Sequence, residues 1–228
     1  RSRGLGDVYK RQTLMSMALK DKSQRGEFIQ GTYRSSAAIL GIAFITNIYG
    51  NSGMAPLMII GSVPLYNIMA VVVLSFTKPE QSGVSPALLK KTLKGIVTNP
   101  IILGIVFGGL WSVLHLPLPT ILSKTVSNLG GMATPLGLMA MGASLDWNEA
   151  KSGMVPAFVA SFMKLIGLCT LFLPVAVFLG FCEAELIAIL VMLGSSTTVS
   201  SYVMARNMGH KGVLSASIVA ITTLGSAF

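Results

Sequence analysis

Residues 195–201 read S-S-T-T-V-S-S, six hydroxyl side chains in seven positions, inside an uncharged apolar stretch from Leu186 to Ala205. A segment of that length and composition reads as a transmembrane helix. The bilayer interior offers polar groups no water, so a hydroxyl cluster at mid-depth must face protein or a wet cavity. Hydroxyls offer hydrogen bonds to a bound polar group without carrying charge themselves. Ser195, Ser196, Thr197, Thr198 and Ser200 are therefore candidates for a transport site. The competing reading is that small residues merely let two helices approach closely.

A second hydroxyl pair repeats the pattern. Ser35-Ser36 is followed by Gly50-Asn51-Ser52-Gly53, and Ser195-Ser196 by Gly209-His210-Lys211-Gly212. A shift of 159 places Ser36 on Ser195, Gly50 on Gly209 and Gly53 on Gly212. The two segments are five spans apart, and an odd offset makes them run in opposite directions. Inverted repeats of this kind build many secondary transporters, with substrate held where discontinuous helices meet near the midplane. The repeat predicts that the stretch from Ser36 to Gly41 touches Ser195–Ser200, with both helices broken there, and it adds Ser35, Ser36 and Gly41 to the candidate site.

The elements that must position these residues are apolar spans. The chain has 228 residues, 52% hydrophobic and 11% charged, with mean hydropathy +0.72. Soluble domains carry about 25% charged residues, so the expected class is all-α and polytopic in a membrane. Seven apolar segments follow, roughly Phe28–Gly50, Met54–Phe76, Asn99–Leu116, Leu118–Leu145, Pro156–Phe181, Leu186–Ala205 and Gly212–Phe228. Alternate connections hold eleven basic residues on one side, including Lys91, Lys151, Arg206 and Lys211, against Lys124 on the other. Positive loops favour the cytoplasm, so topology accounts for the net charge of +9 without a nucleic-acid partner. The connection Thr77–Thr98 carries Leu88, Leu89, Leu93 and Ile96 at helical spacing beside Lys90, Lys91 and Lys94, and predicts an amphipathic surface helix. Residues 1–12, RSRGLGDVYKRQ, are polar, lack an initiating Met and stop abruptly where apolar sequence begins. They read as a non-native segment, leaving 13–228 as a transporter domain truncated at both ends, with Thr13–Leu19 the remnant of an earlier span.

Four stretches resemble the auxin efflux carrier family, in particular its bacterial, malate-permease-like members. They are R-G-E-F-I-Q-G-T-Y-R-S-S-A-A-I-L-G-I-A at 25–43, N-P-I-I-L-G-I-V-F-G at 99–108, L-G-G-M-A-T-P-L-G-L-M-A-M-G-A-S-L at 129–145 and S-S-Y-V-M-A-R-N-M-G at 200–209. The resemblance implies a ten-helix carrier of two inverted five-helix repeats, of which about seven helices stand here. It makes the first and sixth segments the fourth and ninth helices, which cross at the transport site. That family often has Asn where Ser36 stands, Pro where Ala43 stands, and Pro where Ser196 or Thr197 stands. These departures bear on how sharply the helices break and on substrate specificity within the family.

Two charges sit near the expected crossing. Lys164 is the one charge well inside a span, and its long side chain can snorkel outward, pair with a helix, meet substrate or couple a proton. Arg34 precedes the first hydroxyl pair and either anchors an interface or attracts a carboxylate. Carboxylates are absent from the interior of every segment, and no phosphate loop or catalytic arrangement of Ser, His and Asp is present. The expectation is a secondary carrier of a small organic anion, which the family resemblance implies to be dicarboxylate-like, not an enzyme, without metal or cofactor. It would sit in a plasma membrane of bacterial inner-membrane type, with a proton or sodium as coupling ion and a homodimer as its assembly. The alternative is a non-transporting sensor or anchoring module.

Overall fold

The computed structural model describes residues 19, 22–36, 41–51, 53, 55–78, 86–144 and 146–226. The 1–12 segment and most of Thr13–Leu19 lie outside them. Every regular element among the described residues is helical. The first apolar segment is two half-helices, α1 (Arg25–Tyr33) and α2 (Ile42–Tyr49). Next come α3 (Ala55–Phe76), the amphipathic α4 (Pro86–Val97) and α5 (Pro100–Val113). α6 (Thr120–Ala143) and the short α7 (Trp147–Ser152) lead into α8 (Met154–Phe178), which contains a π-helical turn at Met163–Gly167. The sixth segment is again broken, into α9 (Glu183–Gly194) and α10 (Ser200–Asn207), and α11 (Val213–Gly225) follows.

Local chemistry sets several boundaries. Asn99 Oδ1 accepts the N–H groups of Ile101 and Ile102 at 3.0 and 3.3 Å, with Pro100 at the first helical position, so α5 starts there. Asp146 does the same for α7, accepting from Asn148 and Glu149 at 2.8 and 3.2 Å. The repeat noted in the sequence has a backbone counterpart. Gly50 and Gly53 have φ of 71° and 47°, and Gly209 and Gly212 have 85° and 78°. Each broken helix thus leads into a turn built on two left-handed residues, which glycine adopts without a Cβ penalty.

Among the described residues, by length and apolarity alone, Pro56–Phe76 and Met154–Phe178 qualify as spans, with a third if α4 and α5, bent by 49°, count as one. The difference from seven segments has a physical cause. A hydrocarbon layer of about 30 Å needs about 20 residues in one piece, whereas the two broken segments are divided into half-helices of 9, 8, 12 and 8 residues and α5 and α11 have 14 and 13. α6, with 24 residues, is long enough but less apolar.

The basic connections gather at one end of the bundle. His210 Nε2 donates to Leu74 O at 2.9 Å, linking the α10–α11 turn to the end of α3. Lys211 pairs with Glu149 of α7 at 2.6 Å. Glu27 of α1 accepts from the N–H groups of Gly212 and Ser215 at the start of α11. With positive loops cytoplasmic, Cys substitutions in a full-length protein have a fixed expected pattern. Lys91→Cys and Lys151→Cys stay unlabelled by an impermeant maleimide in intact cells, whereas Glu183→Cys is labelled. Labelling at Lys91→Cys from outside contradicts this topology.

Candidate functional site

α1 ends because Arg34 turns extended, with φ −69° and ψ 140°. α9 ends in the same way at Ser195, with φ −69° and ψ 154°. The two extended segments lie side by side, and the N–H of Ser36 donates to Ser196 O at 2.8 Å. The hydroxyls of Ser35 and Ser195 bond to each other across the pair. Thr197 anchors the second segment: its N–H donates to Thr222 Oγ1 on α11 at 3.0 Å, and its hydroxyl to Gly31 O on α1 at 2.7 Å. α1 packs on α10 and α2 on α9, so the broken helices cross in opposite directions. No proline is at either break. Serine and threonine offer the backbone competing hydrogen bonds, and the neighbouring break supplies the rest.

Most of the expected site residues meet here. Ser35, Ser36, Ser195, Ser196, Thr197, Thr198 and Ser200 all belong to the crossing. Gly41 lies just beyond it, its N–H donating to Ser36 O at 3.3 Å, and residues 37–40 of the predicted contact stretch lie outside the described residues. The hydroxyls divide between two sides. A cavity of about 190 Å³ is lined by Arg34, Ser35, Ser36, Thr198 and Ser200, with Tyr66 and Asn67 from α3 and the side chains of Val63 and Ile101. Ser195 instead faces an apolar cavity of about 770 Å³, bounded by Phe44, Phe158, Phe162 and Leu190. Ser196 and Thr197 border neither cavity and serve the framework.

Arg34 dominates the electrostatics of the smaller cavity. It is 2% exposed. Its Nη2 donates to Ser200 Oγ at 2.7 Å and to Asn67 Oδ1 at 2.9 Å, and its Nη1 reaches Met204 Sδ at 3.0 Å. Its Nε has no partner. All these acceptors are neutral. A buried guanidinium without an anion is costly, because buried charges are normally paired. The N-terminus of α10, beginning at Ser200, borders the same space and adds a positive dipole end.

Lys164 takes a different path from the snorkelling route that its position suggests. The π turn carries it inward, it is 1% exposed, and its Nζ donates to Leu193 O at 2.7 Å and Met192 O at 3.4 Å. A cation therefore satisfies the last carbonyls of α9 at the negative end of that half-helix. Of the readings weighed for it, helix pairing is the one this geometry fits.

Among the buried polar groups that sequence reasoning missed, Asn67, Gln30, Glu27 and His210 bear most on the site. Asn67 orients Arg34, and a single amide in an apolar span was an available signal. Gln30 donates to Ser201 O at 2.9 Å and to Ser215 Oγ at 3.3 Å. Glu27 and His210 are 2% and 4% exposed, so carboxylates are not absent from the helical interior as the sequence suggested. Glu27 precedes the apolar run at Phe28 yet belongs to α1, whose other residues pack on α8 and α11. Gly137 explains part of the 129–145 stretch: a Cβ there would stand 2.8 Å from Val199 Cγ1, so its absence lets α6 reach the crossing.

A family described as membrane transport protein matches residues 15–228. Nothing matches among curated proteins or among solved structures. The match takes in the whole crossing and every described residue. The chain belongs to the membrane transport protein family, that of the auxin efflux carriers.

Proposed function

We propose that the chain is the crossover part of a secondary active transporter for a small organic anion, a dicarboxylate in the first instance. The observation that carries this reading is Arg34: a fully buried guanidinium, partnered only by neutral groups, on the wall of a polar cavity. A carboxylate would supply the missing countercharge, and fork geometry suits a guanidinium to a carboxylate better than a lysine would be suited. Ser35, Ser36, Thr198 and Ser200 would donate to its oxygens, while Ser195, Ser196, Thr197 and Gly41 hold the two breaks in register. Lys164 supports the site indirectly, through the end of α9. Movement of α1–α2 against α9–α10 would open the site to each side in turn.

By the resemblance, the working unit is a ten-helix carrier in a plasma membrane of bacterial inner-membrane type. A proton or sodium ion is its coupling ion and a homodimer its assembly, and it is not an enzyme. Tested on the full-length protein, four-carbon dicarboxylates raise the melting temperature and are taken up into vesicles, whereas their diamides do neither. Equal stabilisation by acid and diamide would remove the charge argument and the anion reading with it.

A further inference from the structure

We propose that α4 is a binding surface for anionic phospholipid headgroups. This surface needs only that the chain sits in a bilayer, whatever the carrier moves. The helix has three faces. Leu88 and Thr92, four residues apart, are 3% and 5% exposed and turn toward α3. Gly95 lies on this side too, where a Cβ would be 3.6 Å from Val71 Cγ1. Leu89, Leu93 and Val97, also four apart, form the adjoining face and are 53%, 65% and 62% exposed. Lys90, Lys91 and Lys94 make the third face, all exposed, with no carboxylate partner among the described residues.

An exposed leucine stripe is unfavourable in water and natural in acyl chains. Beyond the 49° bend, α5 likewise exposes Leu103, Phe107 and Leu110. The helix thus lies where the bundle surface leaves the hydrocarbon, along the end that collects the basic connections. Lysines beside an acyl-facing stripe reach back to the phosphate layer. Zwitterionic headgroups would satisfy the stripe but not three unpaired ammonium groups. Anionic headgroups satisfy both, and that complementarity selects the ligand.

Each lysine near an anionic leaflet is worth about fivefold in binding, so three are worth about a hundredfold, and screening leaves at least about tenfold. The test uses the full-length protein in nanodiscs, with lipids released and counted by native mass spectrometry. The parent should retain phosphatidylglycerol over phosphatidylcholine. The K90Q/K91Q/K94Q variant should lose that preference by about tenfold or more, and the K90R/K91R/K94R variant should keep it. Undiminished phosphatidylglycerol retention by the glutamine variant overturns the proposal. So does loss of the preference in the arginine variant, or displacement of the lipid by glycerol phosphate as readily as by phosphatidylglycerol vesicles. If the glutamine variant fails to assemble, the arginine variant and the glycerol phosphate competition decide alone.

Discussion

Arg34→Gln in the full-length protein weakens anion binding at least about thirtyfold while leaving the empty carrier as stable as before, or more so. The two halves of that result have one origin. In the empty state the guanidinium is buried against a neutral amide, a hydroxyl and a thioether, and desolvation of its charge is only partly compensated. Glutamine can still donate to Asn67 and Ser200, so the local network survives without the charge. With a carboxylate bound, the same charge is paired. Removing one partner of a buried, hydrogen-bonded pair costs about 2–5 kcal/mol, a fall in affinity of at least about thirtyfold. Arg34→Lys keeps a point charge without the fork and should fall between parent and glutamine variant. Titration with a dicarboxylate and thermal unfolding of the empty protein read the two halves separately. A structural Arg34 gives the opposite pair, a lowered melting temperature with affinity unchanged.

The parts of this molecule that were legible in its sequence are those the bilayer dictates. A span must be apolar over its length, so the apolar segments appear as such. A hydroxyl cluster within one has nowhere to hide, so the Ser195 region announces its break. The glycine pairs after each break were visible because left-handed turns admit few other residues. Contacts between segments were less legible. Nothing in the run around Asn67 names Arg34 as its partner, since thirty-odd residues and a turn separate them. Lys164 was legible in part, because its position left outward snorkelling and helix pairing both open. Depth along a segment suggested an outward side chain, but the π turn at Met163–Gly167 rotates it toward the α9 carbonyls. Helical phase, unlike apolarity, is not readable where the helix departs from regular winding.

Glu27 is the clearest case of a residue that segmentation by apolarity leaves out, and it predicts the largest loss of stability. α11 starts at a glycine, Gly212, which has no side chain to cap its own helix. Glu27 of α1 caps it from outside: Oε1 accepts from Gly212 N–H and Oε2 from Ser215 N–H, both at 2.8 Å. Those donors are the cap residue and the third helical residue, two of the groups a helix start leaves unsatisfied. Hydrogen bonds to a charged acceptor contribute about 1.5–3 kcal/mol each, and the positive end of the helix favours the anion further. Glu27→Ala removes both and should cost about 3–5 kcal/mol. Glu27→Gln keeps the shape but turns an amide N–H₂ toward a backbone donor, so it should still cost about 2–3 kcal/mol. The consequence reaches the crossing, because α11 also carries Thr222, which accepts from Thr197 N–H. A loosened α11 therefore weakens anion binding as a secondary effect. Thermal unfolding of the two variants in full-length protein checks this, with Ala falling further than Gln. A different role gives a different signature: if Glu27 carries a coupling proton, Glu27→Gln keeps the parent melting temperature and loses gradient-driven uptake while substrate exchange persists. That outcome would replace the capping account, since an isosteric amide leaves a proton carrier's fold intact but cannot satisfy two backbone donors.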